Sequence, residues 1–215
     1  MGSDGAQGGG RKAPRPLDAA RLEEMALAYV ARFATSAGKL EAYLTRKLRE
    51  RGWAGDPEDG DGGYIGAGRA DIAAVIARFV ELGYVDDAGF ARMRSGSLLR
   101  RGYGSRRIAQ DLSAAGIEDS IRQDCAPDEA EARRAVLAMA RRKGFGPFTR
   151  EMTSDQSLDP GLRERQMASL LRAGHGMAQA RALLALRDPL DAERWVAEAE
   201  EDAPDEPGDG RGFRE

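Results

Sequence analysis

The stretch Leu98-Leu99-Arg100-Arg101-Gly102-Tyr103-Gly104-Ser105-Arg106-Arg107-Ile108-Ala109-Gln110-Asp111-Leu112-Ser113-Ala114-Ala115-Gly116-Ile117 reads as the end of one helix, a turn and a whole second helix. Gly102 and Gly116 each stop a helical run, and Tyr103 and Ile117 follow them. This is the signature of a left-handed glycine whose next side chain packs back on the last turn. It recurs at Arg51-Gly52-Trp53, Leu82-Gly83-Tyr84, Lys143-Gly144-Phe145 and Ala173-Gly174-His175. Gly38 to Gly52 and Gly102 to Gly116 are both 14 residues apart, and Gly102 to Gly144 is 42. A helical unit of roughly 40 residues used three times fits these intervals, which predicts an all-α, elongated tandem array of three three-helix repeats.

Composition agrees with helices rich in surface. Of 215 residues, 41% are hydrophobic, 6% aromatic and 32% charged. Abundant Ala, Arg, Leu and Glu favour helix over sheet. No apolar run reaches the roughly 18 residues of a membrane span, and residues 1–17 lack the apolar core of a signal peptide. The single cysteine, Cys125, excludes an intrachain disulfide framework and fits a reducing compartment. A cytoplasmic monomer without cofactor is the expectation.

A net charge of −3 conceals an asymmetry: residues 188–215 hold eleven acids against three arginines. The body between residues 18 and 187 is mildly basic. Punctuation divides the chain into an N-terminal disordered tail (1–17), a first repeat (18–85) interrupted by an acidic, Gly-rich loop (52–68), a second repeat (86–126), a third (127–187) and an acidic C-terminal tail (188–215). The first repeat carries apolar stripes through Leu22, Met25, Ala26, Tyr29, Val30 and Phe33, then Leu40, Tyr43, Leu44 and Leu48, then Ile72, Val75, Ile76, Phe79 and Val80. In the second, Asp86 or Asp87 can cap a helix over 87–101, with others at 105–115 and 118–125. The third has helices at 127–143, 160–173 and 176–187; Pro189 ends the array, though 189–201 can add one helical stretch through Trp195.

Catalytic chemistry finds little support. Cys125 and His175 are single and 50 positions apart, so each reads as a packing residue rather than a nucleophile, base or metal ligand. Gly38-Lys39 lacks the strand and the Ser/Thr of a phosphate loop. Asp56 to Asp61 resembles a calcium loop without its closing Glu. The chain reads as a non-enzyme.

Basic clusters say more. Arg46, Lys47 and Arg49 share one helix; Arg100, Arg101, Arg106 and Arg107 bracket the turn that carries Tyr103; Arg141, Arg142 and Lys143 precede Gly144-Phe145. Each set gathers near a helix C-terminus, where cations complement the helix dipole. Their recurrence also offers a basic track to phosphate or to an acidic protein groove.

The string from Phe79-Val80-Glu81-Leu82-Gly83-Tyr84-Val85-Asp86-Asp87 through Phe90-Ala91, with Arg100-Arg101-Gly102-Tyr103-Gly104-Ser105-Arg106-Arg107-Ile108 and Leu112 to Ile117, resembles the central repeat of the RecX family of recombination regulators. Tyr43-Leu44-Thr45-Arg46-Lys47-Leu48 with Arg51-Gly52 is similar to the first repeat, and Arg163-Glu164-Arg165-Gln166-Met167 with Leu170-Leu171-Arg172 to the third. The resemblance implies a helical protein that binds the RecA recombinase and its filament on single-stranded DNA, repressing recombinase, ATPase and coprotease activities without a catalytic site. Room is left for weak direct DNA binding. The 52–68 loop and the 188–215 tail depart from the family pattern, and the loop is expected to project outward. Two other classes remain open: a stand-alone DNA-binding protein built on helix-turn-helix-like units, and a scaffold unrelated to DNA.

Overall fold

The computed structural model describes residues 15–54, 63–149 and 159–202. Among these, ten α-helices run in order: α1 (Ala19–Val30), α2 (Ala37–Arg51), α3 (Gly63–Glu81), α4 (Asp87–Arg100), α5 (Ser105–Ala114), α6 (Asp119–Asp124), α7 (Glu129–Lys143), α8 (Pro160–Arg172), α9 (Met177–Ala185) and α10 (Pro189–Glu201). The protein is all-α, as its sequence predicts.

Polar caps fix the helix starts. Asp18, Ser36, Asp159 and Asp188 accept the backbone N–H groups of Arg21, Lys39, Leu162 and Asp191, each satisfying a donor left over in the first turn. At α7 a capping box forms: Asp128 accepts from the Glu131 N–H at 2.6 Å, and Glu131 accepts from the Asp128 N–H at 3.2 Å. Glycines set the ends. All six glycine stops read from the sequence have positive φ, between 68° at Gly144 and 91° at Gly174.

The chain forms two compact units, Met1–Asp87 and Ala88–Glu215. In the first, α1, α2 and α3 bury Leu22, Leu40, Leu44, Leu48, Ile72 and Phe79. The Asp87 carboxylate accepts the Ala37 N–H at 2.8 Å and thereby caps α2. Phe33 and Val80, placed on the apolar stripes by spacing, are 56% and 49% exposed. Phe33 lies beyond the end of α1, where the helical period no longer aims it inward.

Both flanks of this unit correct the sequence reading. Leu17, assigned to the disordered tail, is fully buried; its N–H donates to the Gly52 carbonyl and its carbonyl accepts from the Ala54 N–H, making a parallel bridge with Trp53. The loop assigned to 52–68 is ordered at both ends. Trp53 packs on the core, and α3 begins at Gly63, five residues before the assigned loop end. Gly68 explains why: a Cβ there would lie 2.9 Å from Leu48 Cδ1 and 3.2 Å from the Trp53 ring, so α3 and α2 close on a residue without a side chain. The acidic run Asp56 to Asp61 and the outward projection expected of it lie outside the described residues.

In the second unit, α4–α6 enclose Phe90, Leu98, Ile108, Leu112 and Ile117, braced by a two-pronged pair in which Arg94 donates to Asp111 at 2.6 and 2.8 Å. α7–α10 enclose Val136, Met139, Leu170, Leu183, Leu184 and Val196. The helical stretch read over 189–201 is therefore α10, and the segment assigned as a tail from 188 begins with a packed helix. α10 buries Ala192, Val196 and Ala199 against this core, because small residues at i, i+4 and i+7 give an otherwise acidic helix one apolar face.

Tyr103 packs against both of these cores, and the turn that carries it is locked by direct backbone contact. The Gly104 N–H donates to the Ala173 carbonyl at 2.9 Å, and the Arg106 N–H to the Gly174 carbonyl at 3.1 Å. A Cβ on Gly104 would lie 2.4 Å from the Gly174 carbonyl carbon and oxygen and from the His175 nitrogen. One on Gly174 would lie 2.4 Å from the Arg107 nitrogen. Gly104→Ala is therefore expected to cost about 1–3 kcal/mol through forced backbone separation. Gly66→Ala, in α3 with nothing within 4 Å, is expected to stabilise by up to about 1 kcal/mol. Urea midpoints of the two variants check the contrast; equal effects would contradict it.

Candidate functional site

The three predicted basic clusters meet different fates. In the first, on α2, Arg46 and Lys47 both pair with Glu50, at 3.7 and 2.6 Å. The hydrogen bond from the Lys47 ammonium holds the Glu50 carboxyl below its usual range. Arg46 also lies over the Tyr43 ring at 5.7 Å. Arg49 is exposed and, among the described residues, without an ion pair.

In the third cluster, at the end of α7, Arg141 pairs with Glu193 of α10 at 2.6 Å. Arg142 reaches back to α4 and donates to the Arg101 carbonyl at 2.8 Å. Lys143 is exposed and has no ion pair among the described residues. The structure thus joins the second and third clusters into one region, while the first lies in the other unit.

The second cluster keeps its charges free. Arg100, Arg101, Arg106 and Arg107 are all exposed, and none has a carboxylate partner among the described residues. Arg101 lies over the Tyr103 ring, 5.4 Å from its centroid. Arg100 and Arg101 leave from the last turn of α4, and Arg106 and Arg107 from the first turn of α5. Cations there face the positive end of the α5 dipole, a mild penalty that stability alone does not explain. Their backbone is fixed: the Arg106 N–H and the Arg107 backbone are part of the contact with Gly174.

His175 packs, as its place after a helix-ending glycine predicts, and it also bonds across the joint. It is 1% exposed, and its Nε2 lies 3.1 Å from the Gly102 carbonyl; since a carbonyl only accepts, the neutral ring carries its proton on Nε2 and donates. Nδ1 is buried without a partner. Burial pushes the imidazole below its ordinary value, against a smaller opposing effect of the Gly102 bond. Gly102 itself is confined. Its φ is 76°, and a Cβ would lie 3.0 Å from the Met139 backbone nitrogen. Cys125 is half-buried beside the α4–α6 core, with its thiol pushed up by burial, opposite to the direction that activates a nucleophile. Among the described residues no group of three or more His, Cys, Asp or Glu side chains could hold a metal ion, and no helix is long and apolar enough to cross a membrane.

The chain is similar in sequence and fold to known proteins. Residues 86–125 match the family profile described as RecX, second three-helix domain. The chain is 30% identical over 179 residues to the Regulatory protein RecX of Myxococcus xanthus, covering 81% of this chain and 90% of that one. It is 32% identical over 188 residues to the protein of the same name from Mycobacterium sp. (strain JLS), covering 84% and 90%. The crystal structure of RecX from Lactobacillus salivarius superposes with a TM-score of 0.55 at 18% identity, over 77% of this chain and 94% of that one, and so shares its fold. The chain belongs to the RecX family, in which the Myxococcus and Mycobacterium relatives bear the name regulatory protein.

His175 gives the joint a pH signature. The unfolded chain takes a proton at the ordinary value of 6.5, whereas the buried ring resists it. Stability present above that value therefore falls as the pH drops through it toward the lowered folded value. His175→Gln is expected to lose less stability than the native chain between about pH 7.5 and about pH 5 in denaturant titrations. Identical pH slopes would contradict the assignment.

Proposed function

We propose that this protein is a non-catalytic regulator that binds the RecA recombinase and its filament on single-stranded DNA and inhibits its recombinase, ATPase and coprotease activities. The observation that carries the reading is the set of four exposed guanidinium groups, without a carboxylate partner among the described residues, that flank a turn whose backbone is bonded across the fold. Exposed arginines add only tenths of a kcal/mol to folding. Held in a fixed arrangement and the same sign, they suit an acidic protein groove or a phosphate-lined one. Family membership points to the recombinase as the partner. Lys143 and Arg142 extend the surface, with Tyr103 between the two sets; Arg141 contributes less because Glu193 already neutralises it. Arg46, Lys47 and Arg49 form a separate, weaker contact, two of the three being shared with Glu50.

Direct DNA binding by helix-turn-helix-like units is the second reading. A reader of base sequence presents hydrogen-bonding side chains on a recognition helix. Here α5 carries a single amide side chain, Gln110, beside Arg106 and Arg107 in its first turn, so contact with phosphate is favoured over the paired amide reading of adenine.

Replacing Arg100, Arg101, Arg106 and Arg107 by Glu is expected to abolish inhibition of a RecA-type ATPase on single-stranded DNA, with helicity and melting nearly unchanged. Binding to DNA alone should occur only at higher concentration than inhibition. If the quadruple variant inhibits at native concentrations, the surface lies elsewhere. If native protein binds DNA but leaves the ATPase untouched, the second reading holds.

A further inference from the structure

A cleft of about 520 Å³ opens where α7 ends, lined by Arg142, Lys143, Phe145, Phe148, Thr149 and Gln166 among others. That volume lies within the about 300–1,000 Å³ of small-ligand sites. Its wall combines three chemistries. Lys143 and Arg142 supply positive charge at the mouth. Phe148, on the 3-10 turn Gly146–Phe148, is half-buried against the core, and the Arg141 guanidinium lies over its ring, 5.7 Å from the centroid, so the two planar groups form one layered wall. Gln166 of α8 is 3% exposed, and its Oε1 accepts the Gly146 N–H at 2.8 Å, which fixes the carboxamide and leaves Nε2 as a pure donor.

We propose that this cleft holds one unstacked nucleotide of single-stranded DNA, its base against Phe148 and Arg141, a base carbonyl accepting from Gln166 Nε2, and its phosphate against Arg142 and Lys143. The inference rests on the reading above that the bound filament includes single-stranded DNA. An acidic peptide would need only the cations. An aromatic platform beside a buried, oriented amide is the combination that receives a base, since every base has a π-face and thymine adds two carbonyl acceptors. Positive charge alone would make the site a salt-sensitive track with no preference between nucleic acid and any other polyanion.

The test uses the full chain with fluorescein-labelled oligo(dT), and inorganic polyphosphate as a polyanion without bases. Phe148→Ala is expected to weaken oligo(dT) binding roughly tenfold while leaving polyphosphate binding and the salt slope as they were, because the ring neutralises no phosphate. Arg142→Ala and Lys143→Ala are each expected to lower the slope by about 0.7. Phe148 also touches the core, so Phe148→Trp provides an independent readout: its fluorescence should be quenched by oligo(dT) and not by polyphosphate. Unchanged oligo(dT) binding by folded Phe148→Ala, or absent quenching in Phe148→Trp, overturns the proposal. Recombinase inhibition measured on the same variants separates the two claims. Inhibition by native protein without any base-dependent signal removes the nucleotide site and leaves the regulator reading standing.

Discussion

Two backbones in direct contact, Gly104 against Gly174, are the constraint on which the second unit depends. Main chains approach this closely only where neither residue has a Cβ, and both would collide at 2.4 Å if they did. Once the gap closes, the Gly104 and Arg106 N–H groups find the Ala173 and Gly174 carbonyls, and His175 reaches the Gly102 carbonyl. Polar groups that would be orphaned on burial are thus mostly paired across the joint. Among the described residues, His175 Nδ1 is the buried side-chain polar atom left without a partner. Tyr103 then lies where the α4–α6 and α7–α10 cores meet, so the joint is apolar on one side and bonded on the other.

That arrangement leaves the proposed contact residues outside the packed core. Folding energy comes from buried leucines, alanines and the glycine contact, whereas Arg100, Arg101, Arg106 and Arg107 add little and remain available. The acidic C-terminal helix shows the opposite use of charge. Glu193 and Glu200 pair with Arg141 and Arg134 of α7 at 2.6 Å each, and Arg133 donates to the Trp195 carbonyl at 2.7 Å while lying 4.8 Å from that ring. α10 therefore neutralises one flank of α7. Arg142 and Lys143 at the end of α7, and the four arginines flanking the Gly102–Ser105 turn, have no carboxylate partner of this kind among the described residues.

Much of this was legible in the sequence, and the reasons are local. Six glycine stops and the acid or serine caps are short-range signals, so helices such as the one read at 160–173 fall within a residue or two of their observed bounds. What escaped depends on residues distant in sequence. Leu17 looks like tail until Trp53 and Gly52 pair with it. Gly63–Gly68 looks like linker until Leu48 packs there. The helix over 189–201 is legible, but its acids suggest a solvated flank until Ala192, Val196 and Ala199 meet α7. The site behaves likewise: cations at helix ends were visible, but which of them are already occupied was not, because Glu193 lies 52 positions from Arg141 and the Arg101 carbonyl 41 from Arg142.

The arginine-bearing turn is bonded into the fold as a rigid part of it rather than as a surface loop. Native-state hydrogen exchange reads this directly at the Gly104 and Arg106 amides, which donate across the joint. The account predicts that both exchange as slowly as the Val136 amide in the buried face of α7, opening only when the whole unit unfolds. Exchange at the rate of a solvated turn would contradict it.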